Sequence, residues 1–121
     1  MISIRPQDFG LDVALYNEFT LADFKSLEAA LLDRFNSQAK PNVLIDMSEV
    51  VDFTIDMAVE ELRFVRAHEK HFGRIAVVVK DNWIKLAAHI AGLLSGDTDV
   101  MYFDSAESAR EWVEGGELPA V

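Results

Sequence analysis

Three groups of side chains have chemistry beyond packing. The first is Glu61 and His68, seven residues apart. On a helix that is two turns along one face, or roughly 10 Å. The spacing is too long for a direct hydrogen bond. It suits two polar groups flanking a ligand, or the acid and base of a lipid-handling or hydrolytic enzyme. The structural alternative sets both at the edge of an apolar stripe, bonded to arginine or backbone groups. The second group is Asp46, Glu49, Asp52 and Asp56. Carboxylate oxygens suit Mg²⁺ or Ca²⁺. The simpler reading is structural: a helix begins near Thr54, with Thr54 as N-cap and Asp56 in the first turn. There the helix dipole favours a negative charge by a few tenths to about 1 kcal/mol. Asp46 would then accept from backbone amides at a strand end. The third group is His68 and His71, in a His-Glu-Lys-His spacing that is not HExxH, and the two rings project to different sectors. No metal site is assigned. With no cysteine, no GxSxG elbow and no Walker loop, no catalytic residue is assigned and no cofactor is expected.

These groups need elements to hold them. Ile2–Arg5 reads as a strand stopped by Pro6, and Leu11–Tyr16 as its antiparallel partner. Thr20 offers an N-cap to a helix whose Leu21, Phe24, Leu27, Leu31 and Phe35 form one stripe. Asn42–Met47 is a strand buried on both faces, followed by a short acidic connection. The next helix is predicted from Thr54 to Phe72, with Gly73 as C-cap. Its central apolar stripe is Ile55, Ala58, Leu62, Val65 and Phe72. Met57, Phe64 and His68 widen it on one side and Val59 on the other. Glu61 and Glu69 fall inside this arc, where a carboxylate must be paired, protonated or reaching for water. Ile75–Val79 is another doubly buried strand. Asp81–Leu94 is a helix, Asp99–Phe103 the last strand, and Ser105 caps a final helix.

Trp83, Ile84, Leu86, Ala87 and Ile90 belong to a helix that is apolar on nearly every side, with Lys85, His89 and Gly92 as a narrow polar strip. A helix lying on a sheet needs one apolar stripe. The surplus predicts an interface or pocket. The order β-β-α-β-α-β-α-β-α gives an α/β fold with a single mixed five-stranded sheet. An initial antiparallel hairpin is followed by parallel βαβ units, with four helices.

The chain has 121 residues and is expected to form one domain over 1–121, with 115–121 as a frayed tail. Its 21 acidic and 11 basic residues give a formal charge of −10. Such a chain repels a phosphate backbone, which excludes nucleic acid, and is disfavoured at anionic membranes. The N-terminus lacks a secretory signal, and Trp83–Leu94 is too short to span a bilayer. The expectation is a cytoplasmic protein with no membrane insertion.

Thr20–Phe24, Val43–Met47, His71–Trp83 and Tyr102–Val113, in this order, resemble the STAS fold of anti-sigma-factor antagonists and sulphate-transporter tails. The nearer resemblance is to the SpoIIAA-like family of small bacterial proteins, which is also similar to the CRAL-TRIO lipid-binding fold. It covers about Leu11 to Val113. In anti-anti-sigma members the turn after the third strand carries a phosphorylatable Ser or Thr. Aligning Phe53 with that family's aromatic places Asp56 at the acceptor position. An aspartate there resembles a permanently charged state, with less charge than a phosphate. Thr54 is the nearest hydroxyl. The resulting expectation is a non-enzymatic binding or regulatory module. Its surface is Glu61, Phe64, His68, Trp83, Ile84, Leu86, Ala87 and Ile90, and it takes a protein partner, a second copy of itself or a small apolar ligand. The alternatives are an anti-anti-sigma-type regulator docking its partner at Thr54–Asp56, and the enzyme using Glu61 and His68.

Overall fold

The computed structural model describes residues 1–80 and 99–115. Five strands form one sheet in the order β1-β2-β3-β4-β5: β1 Ile2–Gln7, β2 Gly10–Phe19, β3 Asn42–Phe53, β4 Arg74–Val78 and β5 Asp99–Phe103. β1 and β2 are antiparallel and the other pairs parallel. The helices are α1 Leu21–Ser37, α2 Ile55–His68 and α3 Ala106–Val113. A 3-10 turn spans Glu69–His71. Three α-helices thus lie among the described residues. The fourth expected helix, over 81–94, lies outside them.

The sheet alternates its side chains between two helical layers, as the pleat requires. Val43, Ile75, Val77 and Val79 face α1 and α2, where Phe24, Leu27, Leu31, Met57 and Phe64 pack on them. Leu44, Ala76 and Val78 face α3 and meet Ala109, Trp112 and Val113. Burial on both faces explains why β4 reads as an unbroken apolar run. Local signals start α1 and α3 as expected. Thr20 Oγ1 accepts from the Asp23 amide and the Asp23 carboxylate accepts from the Thr20 amide, both at 3.2 Å. Ser105 Oγ accepts from the Ser108 amide at 3.2 Å.

Several boundaries differ from expectation. Pro6 does not stop β1, which runs to Gln7. β1 is an edge strand, where a missing N–H costs no ladder bond. β2 continues to Phe19 and β3 to Phe53, so the acidic connection after Met47 is itself strand. The two extensions pair with each other through register shifts, and Asn17 takes φ 61°. α2 ends at His68, before the predicted Phe72, and the chain tightens into the 3-10 turn. Gly73 is therefore no helix cap. A Cβ there would lie 2.3 Å from Asn42 Oδ1 and 2.5 Å from the Lys40 carbonyl. Its role is close approach. Asn42 uses that approach: Oδ1 accepts from the Arg74 amide at 2.7 Å while Nδ2 donates to the Val113 carbonyl at 2.7 Å. This ties β3, β4 and the end of α3 together.

Candidate functional site

Beyond Asp46 the described pairing of β3 with β4 ends, and only β2 continues alongside the stretch to Phe53. The Asp46 carboxylate turns back to accept from the Ser48 amide at 2.9 Å, so it serves backbone amides as expected. The alternation of the strand buries Val50 and leaves Val51 70% exposed. α2 then starts with Ile55, which is 81% exposed, and one turn later presents Val59 at 50%. The helical wheel set Ile55 in the central apolar stripe. The structure turns it to solvent, because the first residue of α2 lies beyond the packed face and Met57 takes the buried place. Glu49, Asp52 and Asp56, interleaved in sequence with Val51 and Ile55, are exposed as well.

Thr54 holds the N-cap position in extended conformation, yet its side chain makes no capping bond. Its Oγ1 is buried without a partner. The nearest hydroxyl to the turn is therefore turned inward, away from any modifying enzyme. Asp56 is exposed and its Oδ1 accepts from the Met57 amide at 2.9 Å, satisfying one donor of the first turn. Among the described residues no group of three or more His, Cys, Asp or Glu is placed to hold a metal ion.

The inner face of α2 borders a cavity of about 120 Å³ over β3, β4 and β5. Its walls include Ile45, Met47, Val77, Val100, Leu62 and Val65, and its polar groups are the Glu61 carboxyl and the Tyr102 phenol. Glu61 is half-buried and lines the cavity. Packed protein around the carboxyl removes it from bulk water and pushes its pKa up to about 7. Burial, with a smaller contribution from the Glu61 charge, raises Tyr102 to about 12. No hydrogen bond or ion pair to Glu61 occurs among the described residues, whereas its neighbour Glu60 pairs with Lys25 on α1 at 2.8 Å.

His68 does not join Glu61. It lies outside the cavity wall, 4.4 Å from the Phe64 ring and 5.9 Å from the Phe35 ring between centroids. Its Nδ1 is 3.0 Å from the Phe64 carbonyl, so the proton sits on Nδ1. Phe64 lines the cavity but is only 6% exposed. The expected ligand pair is thus split: Glu61 faces the cavity and His68 caps an aromatic cluster. Glu69, predicted in the helical arc, sits in the 3-10 turn. Trp83, Ile84, Leu86, Ala87 and Ile90 lie outside the described residues. Two features escaped the sequence reading. Tyr102 shares strand parity with Val100 on the α2 face, and that alternation was available in Val100–Phe103. The exposed Val51 followed from strand alternation only once β3 was known to reach Phe53.

The SpoIIAA-like family model matches residues 11–114. The chain belongs to the SpoIIAA-like family. No curated protein matches it in sequence. Among solved structures, this SpoIIAA-like chain is similar to an uncharacterized protein of the DUF3478 family with a SpoIIAA-like fold from Shewanella loihica PV-4. The identity is 19%, over 93% of this chain and 92% of that one, with a TM-score of 0.72. An anti-sigma factor antagonist from Mycobacterium paratuberculosis is 17% identical over 94% of this chain and 93% of that one, with a TM-score of 0.66. The anti-sigma factor antagonist SpoIIAA in its unphosphorylated form is 11% identical over 95% of this chain and 99% of that one, with a TM-score of 0.64. At these identities the likenesses establish the fold. Among the described residues no helix is long and apolar enough to cross a membrane.

Proposed function

We propose that this SpoIIAA-like protein is a regulatory binding module whose protein partner docks on the junction of β3 and α2. The observation that carries the reading is the exposed strip of Val51, Ile55 and Val59 at 70%, 81% and 50%. Large aliphatic side chains at a strand–helix junction lose nothing by being polar unless something covers them. The exposed carboxylates of Glu49, Asp52 and Asp56 define the complement: an apolar patch rimmed by lysine or arginine. The chain's net charge of −10 speeds encounter with such a basic face. Two structural relatives are anti-sigma factor antagonists, which makes an anti-sigma factor the first candidate partner. With Thr54 Oγ1 enclosed and a carboxyl in place of a hydroxyl at Asp56, this junction works without a phosphorylation switch on those two residues. The enzyme reading lacks its geometry, since Glu61 and His68 do not share the cavity.

The test is calorimetric titration of the purified protein with a purified anti-sigma factor of the same organism. Ile55→Glu is expected to weaken binding about 30-fold or more, the cost of losing a central apolar contact of about 2 kcal/mol. Leu32→Glu, at an exposed position on α1, is expected to leave it unchanged. Equal affinity for both variants and the native chain, or no binding by any anti-sigma factor of that organism, contradicts the reading.

A further inference from the structure

The cavity beneath α2 is a second feature, separate from the docking junction. Its walls are apolar apart from the Glu61 carboxyl and the Tyr102 phenol, and no lysine, arginine or histidine of the described chain lines it. Two other carboxylates of the described residues, Asp12 and Asp23, are each matched by donors. Asp12, 4% exposed, meets Arg5 and Arg110, and Asp23 bonds the Thr20 amide and the N-terminal ammonium. Glu61 has no such match among the described residues. We propose that this cavity binds a small monoamine, an apolar body carrying one protonated nitrogen, with Glu61 as its counter-ion.

Charge selects the amine. A fatty acid would bring a second carboxylate to one with no cation beside it among the described residues, in a chain of net charge −10. A neutral alcohol would leave Glu61 without a counter-ion. An ammonium group supplies both the charge and the hydrogen-bond donors that the carboxylate lacks. The ammonium sits against the Glu61 carboxylate, with the tail among the apolar walls that include Val77 and Val100. Size limits the tail. A dry cavity of about 150 Å³ accepts benzene, so about 120 Å³ accepts roughly four to six carbon atoms. Among the described residues, Tyr102 on β5 is the one other ionisable group in the wall, and it stays neutral because burial and the Glu61 charge push its pKa up to about 12. β4 contributes only Ile75 and Val77 to the wall, and β3 contributes Val43, Ile45, Met47 and Phe53. On α1, Lys25 and Glu28 do not line the cavity; Lys25 pairs with Glu28 at 3.6 Å and with Glu60 at 2.8 Å.

The probe is n-pentylamine, followed by amide chemical shifts on the full chain, with 1-pentanol and pentanoate as comparisons. Saturable shifts at Ala58, Leu62 and Val100 are expected for the amine alone. Because Glu61 ionises near pH 7, its charged fraction and the amine affinity rise about tenfold between pH 6 and pH 8. Glu61→Gln is expected to abolish both the preference for the amine and its pH dependence. Ala58→Leu keeps the carboxylate, fills the cavity and is expected to block binding, which guards against misfolding of the first variant. No saturable binding, equal binding of pentanol or pentanoate, or an affinity unmoved by Glu61→Gln overturns the proposal. The anti-sigma titration does not depend on any of these outcomes.

Discussion

Glu61→Gln should stabilise the protein at alkaline pH and do little at acid pH. The free glutamate value is 4.5 and the folded value about 7. Between these values the unfolded chain has released the proton while the folded chain keeps it. Stability therefore falls as pH rises across this window and levels off above it. The span is 2.5 pH units, or about 3.4 kcal/mol at about 1.36 kcal/mol per unit. Glu61 as a residue is half-buried, so solvent screening reduces this to about 2–3 kcal/mol. Glutamine mimics the protonated acid and carries no such dependence. Urea unfolding of both chains at pH 4.5 and pH 8 isolates the effect, because the other carboxylates cancel in the difference. The variant should match the native chain within about 0.5 kcal/mol at pH 4.5 and exceed it by about 2–3 kcal/mol at pH 8. In thermal unfolding the gain at pH 8 corresponds to roughly 10 °C. A difference that does not change with pH, or a variant less stable at pH 8, refutes the placement of Glu61 as an unpaired, desolvated carboxyl.

Three other substitutions probe the scaffold. Gly73→Ala forces a methyl group against Asn42 Oδ1 and the Lys40 carbonyl, and should cost about 2–3 kcal/mol in urea unfolding; no change would mean the approach of β3 to β4 is looser than described. Thr54→Val removes the buried, unpartnered Oγ1 and should raise stability by about 1 kcal/mol, whereas a loss would reveal a bound partner for that hydroxyl. Asp12→Ala leaves Arg110 without its buried acceptor. It should cost about 2 kcal/mol, less than a fully buried pair because both arginines are partly exposed, and a neutral effect in a melting experiment would contradict that role.

The sequence displayed some of this architecture and hid the rest for physical reasons. Ile75–Val79 announced β4 because a strand covered on both faces must be apolar throughout. Thr20 and Ser105 announced helix starts because their side chains satisfy local amides. The tail of β3 was hidden, since Ser48–Asp52 carries three polar residues around Val50 and Val51 and is strand only through pairing with β2. Glu61 was visible as a carboxylate inside an apolar arc. Its separation from His68 was not, because aromatic packing with Phe35 and Phe64 sets the direction of that ring. The exposure of Ile55 depended on where α2 meets the sheet, which helical periodicity alone does not fix.

The central claim is that partners meet this protein on the β3–α2 junction. Hydrogen exchange of the chain with and without a bound anti-sigma factor tests it most directly. New protection should concentrate in Glu49–Glu60, around Val51, Ile55 and Val59. Protection confined to β1 or α3, with Glu49–Glu60 exchanging as in the free protein, would contradict it.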